Sequence, residues 1–178
     1  FGFGLSYTTF EYSDLQIEKK KENIVVSVSI KNTGKMAGAE VVQLYVSSME
    51  EGIHRPLKEL KGFEKVFLER GETKKISFVL DKRTFAFYDT ETKDWQVQKG
   101  RYNIQIGASS KDIRLNQIIE LEGTISTDTQ NHIKGTWYEH PKGKPNKSDF
   151  EKILGRVIEP HKTEKRKEYT MNDCIIDM

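Results

Sequence analysis

The chain has 178 residues, of which 31% are charged, and its mean hydropathy is negative. Because no apolar run is long enough to cross a bilayer, we expect a soluble chain and no membrane partner; no export leader is recognisable, and the compartment stays open. A net charge of +2 gives no extended field of one sign, which argues against nucleic-acid binding. The single cysteine, Cys174, excludes an internal disulfide and a cysteine-rich metal site.

Alternating apolar residues predict short β-strands over the first two thirds of the chain. In NIVVSVSI (23–30), every second residue is apolar on one face, which is typical of a half-buried strand. Turn formers such as NTGKMAG separate the candidate strands. The pattern recurs in EVVQLYVSS, LKGFEKVFL, RGETKKISFVL, GRYNIQIGASS and DIRLNQIIEL, with TFEYSDLQIE and FAFYD as further candidates.

These strands predict an all-β fold, an antiparallel immunoglobulin or fibronectin type III-like β-sandwich over residues 1–122. The Cys-Trp-Cys spacing of true immunoglobulin domains is missing, which favours the fibronectin type III kind. Residues 123–178 lose the strand period and predict an irregular C-terminal extension.

Two short helices are expected within this extension. Near 148–155, Ser148 is the predicted N-cap, Glu151 completes a capping box and Gly155 ends the helix. Near 170–178, Thr170 is the predicted N-cap of an apolar helical face.

No pattern of catalytic or metal-binding residues is found. Ser109 and Ser110 lack the context of a nucleophile elbow, and acidic pairs are ordinary on an antiparallel surface. We therefore expect no catalytic residue, no cofactor and no metal. The histidines are scattered, without the spacing of a zinc helix: His54, His132, His140 and His161.

Three aromatic residues suit a sugar-binding platform, because a flat apolar ring with a polar tip matches the CH face of a sugar. They are Trp95, Trp137 and Tyr138. The alternative is structural, with Trp95 covering an edge of the sandwich and Trp137 holding the extension in place. The structural interpretation is favoured.

Two neighbouring predicted strands are apolar on both faces. In EVVQLYV, Val41 and Tyr45 lie opposite the inward residues, and in GFEKVFL the same holds for Phe63 and Phe67. One face of an antiparallel sheet normally meets water. We therefore expect these four residues to lie at an interface with another domain.

Several stretches together resemble one family. They are FGFGLSYTTFEY, NTGKMAGAEVVQLYV, RPLKELKGFEKVFLERGE, the spacing W…G-x-Y-x-I-x-IGASS from Trp95 to Ser110, and DIRL. In this order and spacing they look like the C-terminal fibronectin type III-like domain of family 3 glycoside hydrolases, chiefly β-glucosidases, over about residues 1–122. The extension is similar to segments that follow this domain in some bacterial members.

The resemblance implies that catalysis takes place elsewhere. Such enzymes are retaining hydrolases with an Asp nucleophile and a Glu acid/base on domains upstream of a domain like this one. The implied partners are those catalytic domains of the same parent chain, and β-linked glucosides or oligosaccharides are the parent's substrate. Asp149, in SDF, resembles the family nucleophile context only superficially, and a helix cap is favoured there.

The chain is therefore expected to be an inactive accessory domain of a β-glucosidase. Two alternatives stay open. A protein-interaction module would pair through its strand edges, and a carbohydrate-binding module would bring Trp95, Trp137 and Tyr138 to one accessible surface.

Overall fold

A computed structural model of the chain describes residues 1–50, 53, 55–89, 92–125, 133 and 135–159. Within them, the strands are β1 (Phe10–Lys19), β2 (Ile24–Asn32), β3 (Gly38–Ser48), β4 (Glu59–Leu68), β5 (Thr73–Leu80), β6 (Phe87–Asp89), β7 (Asp94–Gln96), β8 (Gly100–Gly107) and β9 (Ile113–Leu121). The helices are α1 (Lys82–Phe85) and α2 (Lys147–Leu154). None of the described helices has the length and apolar character needed to cross a bilayer.

Seven of these strands form a two-layer sandwich, which confirms the predicted all-β fold. One sheet has the order β1-β2-β5 and the other the order β4-β3-β8-β9, and every pairing is antiparallel. The predicted strand FAFYD is shorter than expected. Its last three residues form β6, which pairs with β7 in a separate two-stranded hairpin.

The core lies between the two sheets and contains the alternating apolar residues that predicted the strands. At one end, the ring of Phe85 in α1 packs edge-on against Tyr102, with 5.4 Å between ring centroids. This short helix begins at Asp81, whose carboxylate accepts a hydrogen bond from the Thr84 amide at 2.8 Å. Among the buried residues are Ile24, Val26, Val28 and Ile30 of β2, Val42, Leu44 and Val46 of β3, and Tyr102, Ile104 and Ile106 of β8.

A buried asparagine joins the two sheets at the end of β2. The Nδ2 of Asn32 donates to the carbonyl oxygens of Met36 at 2.9 Å and Leu68 at 3.1 Å. Its Oδ1 accepts from the hydroxyl of Thr8 at 2.7 Å and from the amide of Gly34 at 3.0 Å. Because Asn32 ends β2 and Leu68 ends β4, one side chain links a strand of each sheet.

The chain divides into two compact units, Phe1–Gly135 and Thr136–Met178. The sequence placed the boundary after residue 122, whereas the first unit continues further. The chain stays on the sandwich after β9 because the Thr124 amide donates to the carbonyl oxygen of Val97 at 2.7 Å. The helix predicted near 170–178 lies outside the described residues.

In the second unit, α2 begins earlier than predicted. Asn146 is the N-cap, and its Oδ1 accepts from the amide of Asp149 at 2.7 Å. The prediction of Ser148 as N-cap is wrong, because asparagine is an equally good cap and comes first, which leaves Ser148 in the first turn. Gly155 ends the helix as predicted, in the left-handed conformation with φ 70°.

Replacing the inter-sheet asparagine tests its role. Asn32→Ala leaves the carbonyl of Leu68 and the hydroxyl of Thr8 buried without their partner, so we expect the free energy of unfolding to fall by about 2–4 kcal/mol. Denaturant unfolding of the chain measures this loss. Asn116→Ala is the control, since that asparagine is exposed on β9 and its replacement should cost less than about 0.5 kcal/mol. Equal losses in both variants would contradict the assignment.

Candidate docking surface

The outer face of β3 and β4 exposes three large apolar side chains. Val41 is 38% exposed, Phe63 is 69% exposed and Phe67 is 53% exposed. They lie on one face, because Gln43 opposes Phe63 and Ala39 opposes Phe67 across the β3–β4 pair. Their exposure agrees with the sequence pattern, which placed these residues on the face opposite the inward residues of the strands. Their role at a domain interface stays a prediction.

Tyr45, the fourth residue expected on this surface, is only 2% exposed. Its hydroxyl donates to Oε1 of Gln43 at 2.5 Å, and burial raises the pKa of the phenol. Tyr45 is therefore buried within this chain, and its role at a domain interface stays a prediction. The turn after β8 lies close by and is bonded to neighbouring residues of the sheet. Gln43 Nε2 donates to the carbonyl of Ala108 at 2.7 Å, and Lys58 Nζ donates to the carbonyl of Ser110 at 3.0 Å.

The start of the chain lies on the same face. Nε2 of Gln43 also donates to the carbonyl oxygen of Gly2 at 2.8 Å, and the amide of Ser110 donates to the carbonyl of Phe1 at 3.1 Å. Gly2 has φ 70°, and a Cβ built there would lie 2.1 Å from Oε1 of Gln43. Only glycine therefore fits this position without displacing the buried amide.

The anchored segment enlarges the apolar surface, because its alternate side chains point into solvent. Phe1, Phe3, Leu5 and Tyr7 are each more than three quarters exposed. We call the combined surface the apolar face. It consists of Phe1, Phe3 and Leu5 of the segment and Val41, Phe63 and Phe67 of the sheet. An isolated chain rarely leaves so many large apolar residues together in water.

A cleft of about 560 Å³, which we call the N-terminal cleft, opens between the segment and the sheet. Its walls include Phe3, Leu5 and Phe63, while one side is polar. The titratable residues of its lining are Tyr12, Glu40, Asp112 and Arg114. The cleft thus combines an apolar wall with a small group of charged residues.

Arg114 forms an ion pair with Asp112 in the cleft, and Glu40 and Tyr12 lie nearby. Arg114 binds Asp112 through two hydrogen bonds, Nε to Oδ1 at 2.6 Å and a terminal nitrogen to Oδ2 at 2.7 Å, which lower the pKa of that carboxyl. The guanidinium also lies 5.8 Å from the centroid of the Tyr12 ring. Burial raises the pKa of Glu40, and burial together with the charge of Glu40 raises that of Tyr12.

The aromatic residues proposed for sugar binding lie in separate units and contact their own neighbours. The guanidinium of Arg83 lies 3.5 Å from the Trp95 ring centroid, and Tyr88 packs edge-on at 5.6 Å. In the second unit, the Trp137 indole donates to the Lys142 carbonyl at 2.6 Å, and its ring packs edge-on against Tyr138 at 5.1 Å. Tyr138 lies 6.4 Å from Phe150 of α2. These contacts favour structural roles, and sugar binding stays a prediction.

The other residues considered in the sequence have local structural contacts. The hydroxyl of Ser109 accepts from the amide of Asp112 at 3.0 Å within a turn. The carboxylate of Asp149 accepts from the backbone amide of Trp137 at 2.7 Å, so it links the segment around Trp137 to the first turn of α2. In the described part of the chain, no group of three or more His, Cys, Asp or Glu residues is arranged to hold a metal ion. His140 is exposed; three histidines and the cysteine lie outside the described residues: His54, His132, His161 and Cys174.

The polar residues beneath the apolar face were not identified from the sequence. Gln43 left the clearest signal, since it is a lone amide between apolar residues at a position whose neighbours predict burial. The signal at Gly2 was weaker. The contacts of Ser110 and Glu40 connect segments far apart in the chain, and no local pattern predicts such contacts.

Comparison with known proteins identifies relatives of this chain. A family model described as a fibronectin type III-like domain matches residues 40–110. The chain is 54% identical over 129 residues to the Thermostable beta-glucosidase B of Acetivibrio thermocellus, which covers 70% of this chain and 17% of that protein. It is 40% identical over 146 residues to an Exo-alpha-(1->6)-L-arabinopyranosidase of Bifidobacterium breve, covering 80% of this chain and 19% of that protein.

A solved structure agrees with the sequence relatives. The GH3 beta-glucosidase of Bifidobacterium adolescentis superposes with a TM-score of 0.67 at 40% identity, over 70% of this chain and 18% of that chain. The chain therefore spans less than one fifth of the length of these relatives. In them, the matching region is one part of a longer chain.

The two antiparallel sheets and the family match define a fibronectin type III-like domain. Because the Acetivibrio thermocellus relative and the Bifidobacterium adolescentis structure, at 54% and 40% identity, are named as β-glucosidases, the chain belongs with the fibronectin type III-like domains of family 3 β-glucosidases.

Replacing Gly2 tests how the N-terminal segment is held. Gly2→Ala should detach the segment from Gln43, because the left-handed backbone and the missing space both oppose a side chain. Hydrogen exchange of the Ser110 amide, which donates to the carbonyl of Phe1, should become about tenfold faster or more. Gly4→Ala is the control, since no atom lies within 4 Å of its Cβ position. Unchanged Ser110 exchange in Gly2→Ala would show that the segment is held by other contacts.

Proposed function

We propose that this chain is a non-catalytic accessory domain of a β-glucosidase and that it docks on the catalytic domains of its parent protein through the apolar face. One observation carries the proposal: large apolar side chains of the sheet and of an anchored segment are exposed together. Burying one such side chain contributes about 1.5–3 kcal/mol. Two buried phenylalanines and their neighbours therefore suffice to fix one domain against another.

The arrangement of the segment supports docking rather than a flexible attachment. Its backbone is held on the sheet by Gln43 and Ser110, so its exposed side chains have a defined position relative to Phe63. Ordering the segment in advance reduces the entropy that is lost on association. A rigid surface of this kind suits a permanent contact within one protein.

The relatives support a structural role that does not depend on the sugar. One is named as a β-glucosidase and the other as an arabinopyranosidase, yet both share this domain with the chain at 40% identity or more. A domain that selected the substrate would be expected to differ between them. The sugar cleaved by the parent is therefore set outside this chain.

A chimera tests docking. The matched region of the Acetivibrio thermocellus relative is replaced by this chain, and thermal inactivation of aryl β-glucoside hydrolysis is followed. Phe63→Ser with Phe67→Ser should lower the midpoint by several degrees and leave kcat unchanged before inactivation, because the domain contact is lost while the catalytic groups are not touched. Val79→Ser is the control, since Val79 is an exposed apolar residue of β5 on the other sheet. If both sets of changes have equal effects, the apolar face is not the contact.

The chain alone should not hydrolyse a glycosidic bond, because two carboxyl groups about 5 Å apart in a sugar cleft are needed and the family places them on other domains. The purified chain is assayed with an aryl β-glucoside. Turnover that disappears in Asp149→Ala would overturn this expectation.

A further inference from the structure

Lys65 lies at the centre of the three apolar residues that β3 and β4 contribute to the apolar face. It is the cross-strand partner of Val41, and Phe63 and Phe67 lie two residues before and after it on the same side of β4. The side chain of Lys65 is exposed. A partner surface that covers Val41 and both phenylalanines therefore also covers the stem of this lysine and approaches its ammonium group.

The acidic residues nearest to Lys65 along the two strands do not neutralise this ammonium. Glu64 precedes Lys65 in the chain but pairs with Val42, so it lies on the other side of β4. Glu40 pairs with Val66 and likewise lies on the other side of β3. Among the residues that the structure describes, no carboxylate oxygen lies within 4 Å of Nζ of Lys65. The sheet part of the apolar face thus has a positive charge at its centre.

The charge of Lys65 becomes important only when the surface is covered. While the apolar face meets water, the ammonium is hydrated and needs no partner in the protein. A partner that buries the surrounding apolar residues also removes this water, which is unfavourable unless an opposite charge replaces it. A carboxylate supplies that charge and accepts the hydrogen bonds of the ammonium. A second cation at the same place would be repelled, so the lysine also selects the partner surface.

We propose that the catalytic part of the parent presents an aspartate or glutamate to Lys65 within an otherwise apolar contact. This inference rests on the proposed function and names the chemistry of the partner surface. Because β4 is an edge strand, one alternative exists: the flexible stem of Lys65 can carry the ammonium past the edge into water. The two cases differ in what happens when the charge is removed.

The first experiment removes the charge in the isolated chain and in the β-glucosidase chimera described above. Lys65→Met keeps an unbranched apolar stem, so it should leave the unfolding midpoint of the isolated chain unchanged. In the chimera it should shorten the inactivation half-life about tenfold at about 50 mM NaCl and less at about 500 mM NaCl, since salt screens an ion pair. Lys65→Arg keeps the charge and should lose less. Lys31→Met is the matched control, because Lys31 is an exposed lysine of β2 on the other sheet and should change neither context.

The second experiment identifies the partner group. A carbodiimide activates a carboxyl group, an amine in contact with it forms an amide bond, and the carbodiimide leaves as a urea that carries the carboxyl oxygen. After this treatment of the chimera, mass spectrometry of its peptides should find Lys65 joined to an Asp or Glu of the catalytic part. Lys31 should not be joined to that part, and Phe63→Ser with Phe67→Ser should reduce the Lys65 product.

The outcomes separate this inference from the proposed function. If the Phe63 and Phe67 changes destabilise the chimera but Lys65→Met does not, docking stands, the ammonium reaches water and the inference is refuted. A loss in Lys65→Met that is equal at both salt concentrations, or equal in the isolated chain, also refutes it, because the charge then has no partner across the contact. The absence of a Lys65 product with the catalytic part has the same meaning. If Lys65 is joined to a second copy and the isolated chain is a dimer by sedimentation, the occupant is that copy, which overturns the proposal.

Discussion

The side-chain amide of Gln43 is the contact on which the candidate surface depends. It donates to the carbonyl oxygens of Gly2 and Ala108 and accepts from the hydroxyl of Tyr45. One buried amide thereby holds a central strand, the start of the chain and the turn after β8 in one arrangement. Buried polar groups cost free energy unless all their partners are present, so each of these contacts requires the others. The sandwich core makes the fold stable, and Gln43 determines what its outer face presents.

The layers of the fold could be predicted from the sequence because strand periodicity is a local property. Inward residues such as Val26 and Leu44 alternate with polar neighbours or lie on doubly apolar strands, and both patterns identify a strand without knowledge of its partners. The burial of Tyr45 within the chain could not be predicted for the complementary reason: alternation shows which face a residue occupies but not what lies over that face. Here the covering turn comes from residues more than sixty positions later in the chain, bonded to Gln43. The N-cap of α2 was misplaced because Asn146 and Ser148 are both good caps, and sequence alone does not rank them.

The candidate site could be predicted only in its apolar part. Val41, Phe63 and Phe67 were visible as surplus apolar residues on strands that already had an inward face. The polar part of the N-terminal cleft brings together Tyr12, Glu40 and Arg114 from three separate strands, and no spacing in the sequence indicates that meeting. The charges and hydrogen bonds of the three-dimensional structure therefore add what periodicity does not give, namely which polar groups lie beside the exposed apolar residues.

Strand β4 also lies at the edge of its four-stranded sheet, and among the strands that the structure describes none pairs with its outer side. Such a border can recruit foreign strands and begin fibre growth, above all when aromatic rings flank it. In this strand, Lys61, Glu64 and Lys65 interrupt the hydrophobic run around the two phenylalanines. If β4 paired with the same strand of another molecule, these charged side chains would be brought close to one another, which disfavours the pairing. The charged residues of β4 thus protect its exposed edge from becoming a seed for aggregation.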